Sequence, residues 1–230
     1  MEGEVAPFKR LRIARIRPGG VEELEDPVAV EEPVEITVAG RSILLYALPG
    51  MLDELAAGYA YTELRLDPPF WVSEGRVSKE PVEGWRRVDA PPSQPFQALT
   101  PGDVVEAMDS MLSSAELHRR TGAVHLAGVL GRGGMLVRAE DVSRHRAVDK
   151  AVGALLLGGQ HPGGFALLVS SRVTYTLALK AAAAGFWLLA SRGAVTTAAV
   201  EVALDAGMCL AGFVRGDRLN LYTPCRGLGY

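Results

Sequence analysis

The sequence is poor in the residues that most often carry metal or thiol chemistry. Only two of its 230 residues are cysteines, Cys209 and Cys225, which is too few for a disulfide framework or a four-cysteine zinc site. There is no Walker P-loop and no Gly-x-Gly-x-x-Gly motif after a strand. The zinc-deaminase signatures His-x-Glu and Pro-Cys-x-x-Cys are also missing, because no second cysteine follows Pro224 and Cys225 at that spacing. We therefore expect no metal site.

Long apolar runs and a large net charge are absent as well. The most apolar stretch, residues 178–190, contains Lys180 and Gly185 and is shorter than the roughly 20 residues that a membrane helix needs. Residues 1–20 alternate acidic and basic side chains and lack the apolar core of a secretory signal. A formal net charge of −3 gives no general attraction to nucleic acid or anionic lipid. We expect a protein of the reducing cytoplasm with neither nucleic-acid nor membrane partners.

The first hundred residues suggest a small domain preceded by a lead-in. Hydrophobic residues make up 48% of the chain and charged residues 22%, as in globular proteins. Residues 1–33 show no sustained period and are interpreted as a charged lead-in. Residues 34–99 are predicted to form a small α+β domain and linker. Its expected parts are a hairpin at 34–48, a helix at 52–59, a weaker strand pair at 70–88 and a proline-rich linker at 89–95.

The second part of the sequence alternates short apolar runs with helical patterns. Thr100 suits a helix N-cap, with Pro101 at the first helical position and Asp103 in the first turn. The order after this helix is β-β-α-β-α-β-α-β-β, which predicts an α/β domain over residues 100–230, with a mixed sheet covered on both faces. The predicted strands are 123–130, 135–138, 165–169, 186–190, 208–214 and 219–223, and the predicted helices are 142–157, 174–184 and 196–206.

Two of these strands end in the same polar pattern. One runs into Ser170, Ser171 and Arg172, and the next runs into Ser191 and Arg192, with a helix after each. Free backbone N–H groups, the helix dipole and a guanidinium at such a point favour an anion. The alternative is that the hydroxyls are plain helix caps. A ligand that touches both junctions would carry more than one anionic group, as a pyrophosphate does.

A second polar cluster is expected at the start of the helix at 142–157. Asp141, His145 and Asp149 are spaced four apart and line one face if the helix includes Asp141. Two flanking carboxylates should favour the protonated form of the histidine, which then serves as an acid or a ligand. The alternative is a solvated face with ion pairs.

Two further features are less specific. His125 lies in an apolar strand, where a histidine is more often a hydrogen-bonded core residue than a catalyst. The tight turn near the C-terminus brings Phe213 close to Arg215 and Arg218. Turns of this length are commonly plain hairpin loops, but an aromatic ring that stacks on a purine and an arginine that binds phosphate are typical of nucleotide pockets.

Taken together, these motifs resemble the FdhD/NarQ family of sulfur carriers that help to activate formate dehydrogenase. The resemblance spans roughly residues 31–223, and the shared order of several short motifs makes it specific. These motifs are Glu-Pro-Val-Glu at 32–35, Asp-Glu-Leu-Ala-Ala-Gly at 53–58, Thr-Gly-Ala-Val-His at 121–125, the segment 140–150, Val-Ser-Ser-Arg at 169–172, the segment 196–203, Gly-Phe at 212–213 and Tyr-Thr at 222–223.

The resemblance implies a cytidine-deaminase-like C-terminal domain, a smaller N-terminal domain and a homodimer. It implies that sulfur passes from a cysteine desulfurase to the molybdenum bis(molybdopterin guanine dinucleotide) cofactor before that cofactor enters formate dehydrogenase, with GDP as a cofactor analogue. In this sequence the family's cofactor-binding stretch falls on Phe213, Val214, Arg215, Gly216, Asp217 and Arg218. The full candidate binding set adds His125, Arg144, His145, Ser170, Ser171, Arg172 and Ser191.

The sequence departs from the family pattern at the thiols. The family places Cys-x-x-Cys in the loop between its two domains, yet residues 89–100 contain no cysteine here. Serine cannot replace a thiolate as the attacking nucleophile. Cys209 is expected to be buried and inert, and Cys225 is expected to be exposed and is a weak candidate for the catalytic residue.

Three functions stay open at this point. One is a family-type accessory protein that either transfers sulfur or only chaperones the cofactor. Another is a nucleotide- or pterin-processing enzyme on a deaminase-like scaffold, in which His145 would act with Asp141 or Asp149. The third is a protein-binding adaptor for an oxidoreductase.

Overall fold

The computed structural model describes residues 6–89, 96 and 98–230. Most of the predicted linker therefore lies outside the described residues. The described part forms a mixed α/β fold with three sheets and six α-helices. None of these helices has the length and apolar content that a membrane crossing requires.

A six-stranded sheet organises the second half of the chain. The order of its strands is β13-β12-β11-β10-β8-β9; β10, β11 and β12 run parallel, and the other neighbours pair antiparallel. The mixed sheet predicted from the sequence is thus confirmed. The strands are β8 (His125–Gly131), β9 (Gly134–Asp141), β10 (Ala166–Val169), β11 (Leu188–Ser191), β12 (Cys209–Arg215) and β13 (Arg218–Leu221).

Helices cover both faces of this sheet because its central strands are apolar on both sides. In β10, Leu167 and Val169 pack into the larger core, and Ala166 and Leu168 pack into a second core on the opposite face. Such alternation follows from the two-residue repeat of a strand. The larger core takes in α4 (Arg144–Leu157), α5 (Tyr175–Ala184) and α6 (Thr197–Asp205), and the second takes in α2 (Pro101–Ser113), which precedes the short α3 (Glu116–Thr121).

The predicted start of α2 is confirmed. The Thr100 hydroxyl accepts a hydrogen bond from the backbone N–H of Asp103, and the Asp103 carboxylate accepts one from the Thr100 N–H. This reciprocal capping satisfies two of the four free N–H groups at the start of the helix. Pro101 occupies the first turn, where its missing N–H costs nothing.

A second sheet, of five strands, forms the first half of the chain with the order β4-β3-β6-β5-β7. The predicted hairpin and helix are confirmed, whereas the expected strand pair at 70–88 contains three short strands. The elements are β3 (Glu32–Val38), β4 (Arg41–Ala47), α1 (Leu52–Thr62), β5 (Phe70–Ser73), β6 (Arg76–Ser78) and β7 (Arg86–Val88). Its buried residues belong to the same continuous core as the larger face of the six-stranded sheet.

Two glycines allow α1 and α4 to pack closely. A Cβ on Gly58 would stand 1.8 Å from the carbonyl oxygen of Asp149, and a Cβ on Gly153 would stand 1.8 Å from that of Glu54. Because both obstacles are backbone atoms, they cannot move aside as a flexible side chain would. The crossing therefore requires glycine at both positions.

The segment interpreted as a charged lead-in, residues 1–33, contains regular structure that its sequence pattern did not predict. Two ten-residue strands, β1 (Phe8–Arg17) and β2 (Gly20–Ala29), form a hairpin in continuous register, and β3 begins at Glu32. The hairpin was missed because its two strands are rich in charge. β1 is basic and β2 is acidic, so pairs such as Arg12 opposite Glu25 replace the apolar alternation that usually marks a strand.

Candidate anion-binding edge of the central sheet

The two Ser/Arg junctions lie side by side at the carboxyl ends of β10 and β11. Val169 is in register with Ser191, and the loops that follow remain paired through a bridge between Val173 and Val195. The backbone N–H of Arg192 donates to the carbonyl oxygen of Val169 at 2.9 Å. The structure thus brings together two segments that are about twenty residues apart in the sequence.

The serine hydroxyls hold these loops in place. Ser170 Oγ accepts from the backbone N–H of Leu126 at 2.9 Å. Ser191 Oγ accepts from Gly193 N–H at 2.9 Å and donates to the carbonyl oxygen of Ser171 at 2.7 Å. The serines therefore do not cap α5 or α6, which begin only after Thr174 and Thr196. The cap interpretation holds instead for Thr196, whose side chain accepts from Ala199 N–H.

The arginine of each loop contacts the neighbouring segment. A Cβ on Gly193 would stand 3.3 Å from the backbone nitrogen and 3.5 Å from Cγ of Arg172, so the start of the Arg172 side chain passes over this glycine. Arg192 Nη1 lies 3.5 Å from the carbonyl oxygen of Val214. β12 joins the same edge, because Phe213 N–H donates to the carbonyl oxygen of Gly193 at 2.9 Å.

His125 and Arg144 reach this edge from the other side of β10. β8 runs antiparallel to β10, so the first residue of β8, His125, stands near the end of β10. Burial lowers the pKa of His125, and the positive charge of Arg144 lowers it further. Arg144 is the first residue of α4, and its Nε atom is buried with no hydrogen-bond partner among the described residues.

Three arginines at this edge lack a carboxylate partner in the described part of the chain. Within residues 6–89, 96 and 98–230, no carboxylate forms an ion pair with Arg144, Arg172 or Arg192. Three guanidiniums near the N-termini of helices are therefore available to an anion.

The predicted Asp-His-Asp face is wrong. Asp141 ends β9 and precedes α4, and its carboxylate lies 2.8 Å from Lys150 Nζ. Asp149 is buried on α4, where its Oδ1 lies 2.6 Å from Lys180 Nζ. Both carboxylates are thus bound by lysines and do not flank the histidine.

His145 is consequently neutral, which contradicts the protonated form expected from the sequence. Burial together with the cations of Lys180 and Arg144 lowers the pKa of His145 to about 4. Its Nε2 lies 3.5 Å from Thr176 Oγ1, at the start of α5. The imidazole therefore faces the two helix N-termini uncharged at neutral pH.

The stretch 213–218 divides between two surfaces. Phe213 has a left-handed φ of 51°, its ring lies 5.5 Å from the guanidinium carbon of Arg215, and Val214 is buried. Arg215 and Gly216 are exposed at the turn. Asp217 and Arg218 line a separate hollow of about 660 Å³ beside α2. Only the first part of the stretch therefore reaches the strand ends.

The two cysteines are joined to each other, which corrects the expectation of an exposed Cys225. Cys209 and Cys225 form a disulfide, and their exposed fractions are 3% and 1%. The described residues contain no free cysteine. Cys209 opens β12 at the amino-terminal edge of the sheet, so the pair lies away from the strand ends that carry the arginines. Cys225 is not available as a nucleophile while this bond is intact.

Two groups near this edge were not identified from the sequence. Thr174, which precedes α5, has a buried Oγ1 with no hydrogen-bond partner among the described residues. Lys180 bridges Asp149 and Glu63 at 2.6 and 2.8 Å. The signal for Lys180 was a single cation within an apolar run. The described residues also contain no cluster of histidine, cysteine and carboxylate groups that could hold a metal ion.

Comparisons with known proteins agree with this architecture. The model of the FdhD/NarQ family matches residues 72–228. The sulfur carrier protein FdhD of Anaeromyxobacter dehalogenans is 34% identical over 93% of this chain and 92% of its own length, and that of Sulfolobus acidocaldarius is 30% identical over 94% and 96%. A crystal structure from Desulfotalea psychrophila, of a candidate formate dehydrogenase accessory protein, aligns with a TM-score of 0.81 and 27% identity over 97% of this chain and 100% of that one. The chain belongs to the FdhD/NarQ family.

Proposed function

We propose that this protein is a formate dehydrogenase accessory protein that binds the molybdenum bis(molybdopterin guanine dinucleotide) cofactor at the carboxyl edge of its central sheet. The observation that carries the proposal is a set of three arginines, Arg144, Arg172 and Arg192, which have no carboxylate partner among the described residues and lie beside two helix N-termini. The family further supports a cytidine-deaminase-like fold for residues 100–230, with residues 34–99 as a smaller domain.

The residues at this edge fit the charged part of such a ligand. Each guanine dinucleotide arm of the cofactor carries a pyrophosphate, which a planar guanidinium binds through two parallel hydrogen bonds. Arg172 and Arg192 would hold this group, and the unpartnered Arg144 Nε would donate to it. Phe213 offers a ring for a purine at the same edge. The molybdenum centre supplies the redox chemistry of the mature dehydrogenase.

Sulfur transfer is the second half of the role that the family suggests. Relatives of this chain are named sulfur carrier proteins, and a sulfur carrier needs a thiolate nucleophile. Both cysteines of the sequence are joined in a buried disulfide. We propose that the chain acts as a cofactor-binding chaperone in this state, with a cysteine desulfurase and formate dehydrogenase as partners, as a cytoplasmic homodimer.

Titration with GDP tests the binding half. We expect Arg172→Ala and Arg192→Ala each to weaken GDP binding by about tenfold or more, because each loses a charge-assisted hydrogen bond. Arg218→Ala tests the part of the family stretch that lies beside α2 and should weaken binding less. Arg119→Ala, on α3, is a matched control that should leave affinity unchanged. A native chain without affinity at millimolar GDP would overturn the proposal.

Incubation with a cysteine desulfurase and cysteine tests the sulfur half. Intact-mass measurement should show no added sulfur on the oxidised protein, because neither cysteine is a free thiol. The same measurement after reduction with a dithiol shows whether Cys209 or Cys225 accepts a persulfide. Sulfur on the oxidised chain would contradict the chaperone role.

The structure gives little support to a nucleotide- or pterin-processing enzyme. Its expected acid and base were His145, Asp141 and Asp149, yet both carboxylates are buried against lysines and the pKa of His145 is lowered to about 4. A group with so low a pKa is a poor proton donor at neutral pH. The adaptor hypothesis is tested by the same arginine variants, since it predicts that ligand binding does not change.

A further inference from the structure

We infer that the β1–β2 hairpin is a docking arm that packs, through one of its two faces, against the same hairpin of a second copy of this chain. The inference rests on the homodimer in the proposed function and names the surface that forms it. It does not depend on the cofactor or on sulfur chemistry.

The arm packs against the body near its base, and the residues at its tip are exposed. Its ten residue pairs run from Phe8 opposite Ala29 to Arg17 opposite Gly20, a length of about 33 Å at the usual rise per residue. Phe8 and Ala29 pack against the small core cluster that contains Leu117, and the guanidinium of Arg120 lies 5.3 Å from the Phe8 ring. Because Phe8 and Ala29 point to the same side, this side is the anchor face.

The opposite side, which we call the contact face, is open and apolar in its middle. Register and alternation place four apolar side chains on this face, Leu11, Ile13, Leu24 and Val28, with the charged Lys9, Arg15, Arg17, Glu22 and Asp26 around them. Leu11 is 48% exposed and Val28 is 38% exposed. A two-stranded hairpin is marginally stable in water unless an apolar face is covered. An uncovered patch at the middle of a hairpin of this length therefore indicates a missing partner.

The charges of the two strands select a second copy as that partner. β1 contains Lys9, Arg10, Arg12, Arg15 and Arg17 and no acidic residue, whereas β2 contains Glu22, Glu23, Glu25 and Asp26 and no basic residue. Symmetric edge pairing would place β1 beside β1 or β2 beside β2, where like charges repel. Edge pairing of β1 with β2 between copies does not close and leads to open fibres.

Face-to-face packing about a twofold axis parallel to the strands has neither defect. This operation places the basic β1 of each copy over the acidic β2 of the other, so both halves of the contact are complementary in charge. At the centre Ile13 of each copy comes over Leu24 of the other, flanked on one side by Arg15 over Glu22 and on the other by Leu11 over Asp26. Each copy buries its contact face, and the symmetry closes at two copies.

The size of the arm sets the expected strength of this contact. A face about 33 Å long and about 10 Å wide covers roughly 330 Å² per copy, less than half of the ~800 Å² per partner in a standard interface. The arm contact should therefore be reversible at micromolar concentration unless the bodies of the two copies add to it.

Sedimentation velocity of the full-length chain over about 1–100 µM protein measures this equilibrium. Leu11→Asn, on the contact face, should raise the dimer dissociation constant by about tenfold or more, as for a buried apolar anchor. Ile16→Asn is the matched control, because Ile16 is more exposed, at 78%, but lies on the anchor side of the hairpin. It should change the constant by less than about twofold.

Hydrogen exchange of the arm amides confirms that the variant hairpins remain paired. Protection of residues 8–29 should rise with protein concentration in the native chain and in Ile16→Asn. A monomer at all concentrations, with equal arm exchange throughout, would refute the inference. A dimer that Leu11→Asn leaves intact would also refute it, while the homodimer itself and GDP binding would stand.

A charge swap provides an independent test of the packing geometry. Arg15→Glu combined with Glu22→Arg preserves opposite charges within one hairpin and within a dimer of the swapped chain. A mixed dimer of swapped and native chains would instead oppose Arg to Arg and Glu to Glu. Mass-tagged mixtures should therefore contain fewer mixed dimers than random exchange gives. A statistical distribution would show that charge does not align the two arms.

Discussion

Alanine at Gly58 or Gly153 should force apart the two helices that join the halves of the molecule. In either variant the new Cβ would stand 1.8 Å from a backbone carbonyl oxygen of the facing helix, where ordinary contact begins at 3.4 Å. The oxygens belong to Asp149 and Glu54, which take part in the hydrogen bonding of their own helices. Neither can rotate away, so α1 and α4 must separate by up to about 1.5 Å.

The cost follows from this separation. Overpacking of a rigid core costs about 1–3 kcal/mol, and looser packing along the rest of the crossing adds to it, so we expect a loss of about 3 kcal/mol in the free energy of unfolding for either variant. For a chain of this size that corresponds to a fall in Tm of about 6–12 °C. The double variant should lose little more than a single one, because one separation of the helices makes room for both methyl groups.

Urea unfolding followed by circular dichroism measures these losses. Gly102→Ala is the matched control, because Gly102 also lies in a helix, where a Cβ would meet only Thr100 Oγ1 at 3.6 Å. This variant should gain about 0.5–1 kcal/mol, since alanine restricts the unfolded chain. If Gly58→Ala or Gly153→Ala were as stable as the native chain, the close crossing of α1 and α4 would be disproved.

Three further changes test the charged and covalent contacts. Lys180→Met leaves the buried Asp149 without its nearest cation and should cost about 3–5 kcal/mol in urea unfolding, of which a second change, Asp149→Asn, should restore part. The pKa of His145 is lowered to about 4 from 6.5, so the folded chain binds this proton more weakly than the unfolded chain does. The free energy of unfolding should therefore fall as the pH drops from 6.5 towards 4. The variant His145→Gln should show a smaller fall over the same pH range. Replacing Cys209 and Cys225 together with serine should cost about 3 kcal/mol, measured against the native chain without reductant.

The sequence was sufficient for the elements whose pattern is local. The apolar runs of β10 and β11, each followed by an amphipathic helix, predicted the parallel centre of the sheet because such strands are buried on both faces. The cap at Thr100 was equally local. The hairpin of β1 and β2 could not be predicted in this way. Its stabilising pairs join residues up to 21 positions apart, from Phe8 to Ala29, and many of them are charged.

At the candidate site, the sequence predicted which segments lie side by side but not which side chains bind each other. Ser170 and Ser191 were expected at neighbouring strand ends, and the parallel register brings these ends together. The partners of Asp141 were not predictable, because its carboxylate binds Lys150 together with the backbone N–H of Leu48, which is 93 residues away. Helical spacing from Asp141 to His145 was misleading, because β9 extends through Asp141.

The pairing of the two cysteines is explained by the register of the hairpin formed by β12 and β13. β12 and β13 pair Ala211 with Leu221, so the antiparallel register carries Cys209 opposite Thr223, two residues from Cys225. The Thr223 hydroxyl donates to Met208 O and accepts from Leu210 N–H, which fixes this end of the hairpin. The observed register therefore brings the two cysteines close together, which the sequence analysis did not infer.

The disulfide lies away from the proposed binding edge. Cys209 and Gly212 stand at opposite ends of one short segment of β12, about 10 Å apart along the strand, and Gly212 leads into the loop that meets the arginines. The segment around Cys225 is folded back on itself, with its backbone N–H and carbonyl oxygen both bonded to Tyr230. Both cysteines pack into the core on the α2 side of the sheet, near the start of β12, whereas Arg172 and Arg192 follow the carboxyl ends of β10 and β11. Because the pair and the arginines lie at opposite ends of the strands, we expect reduction of the disulfide to leave the proposed binding edge intact.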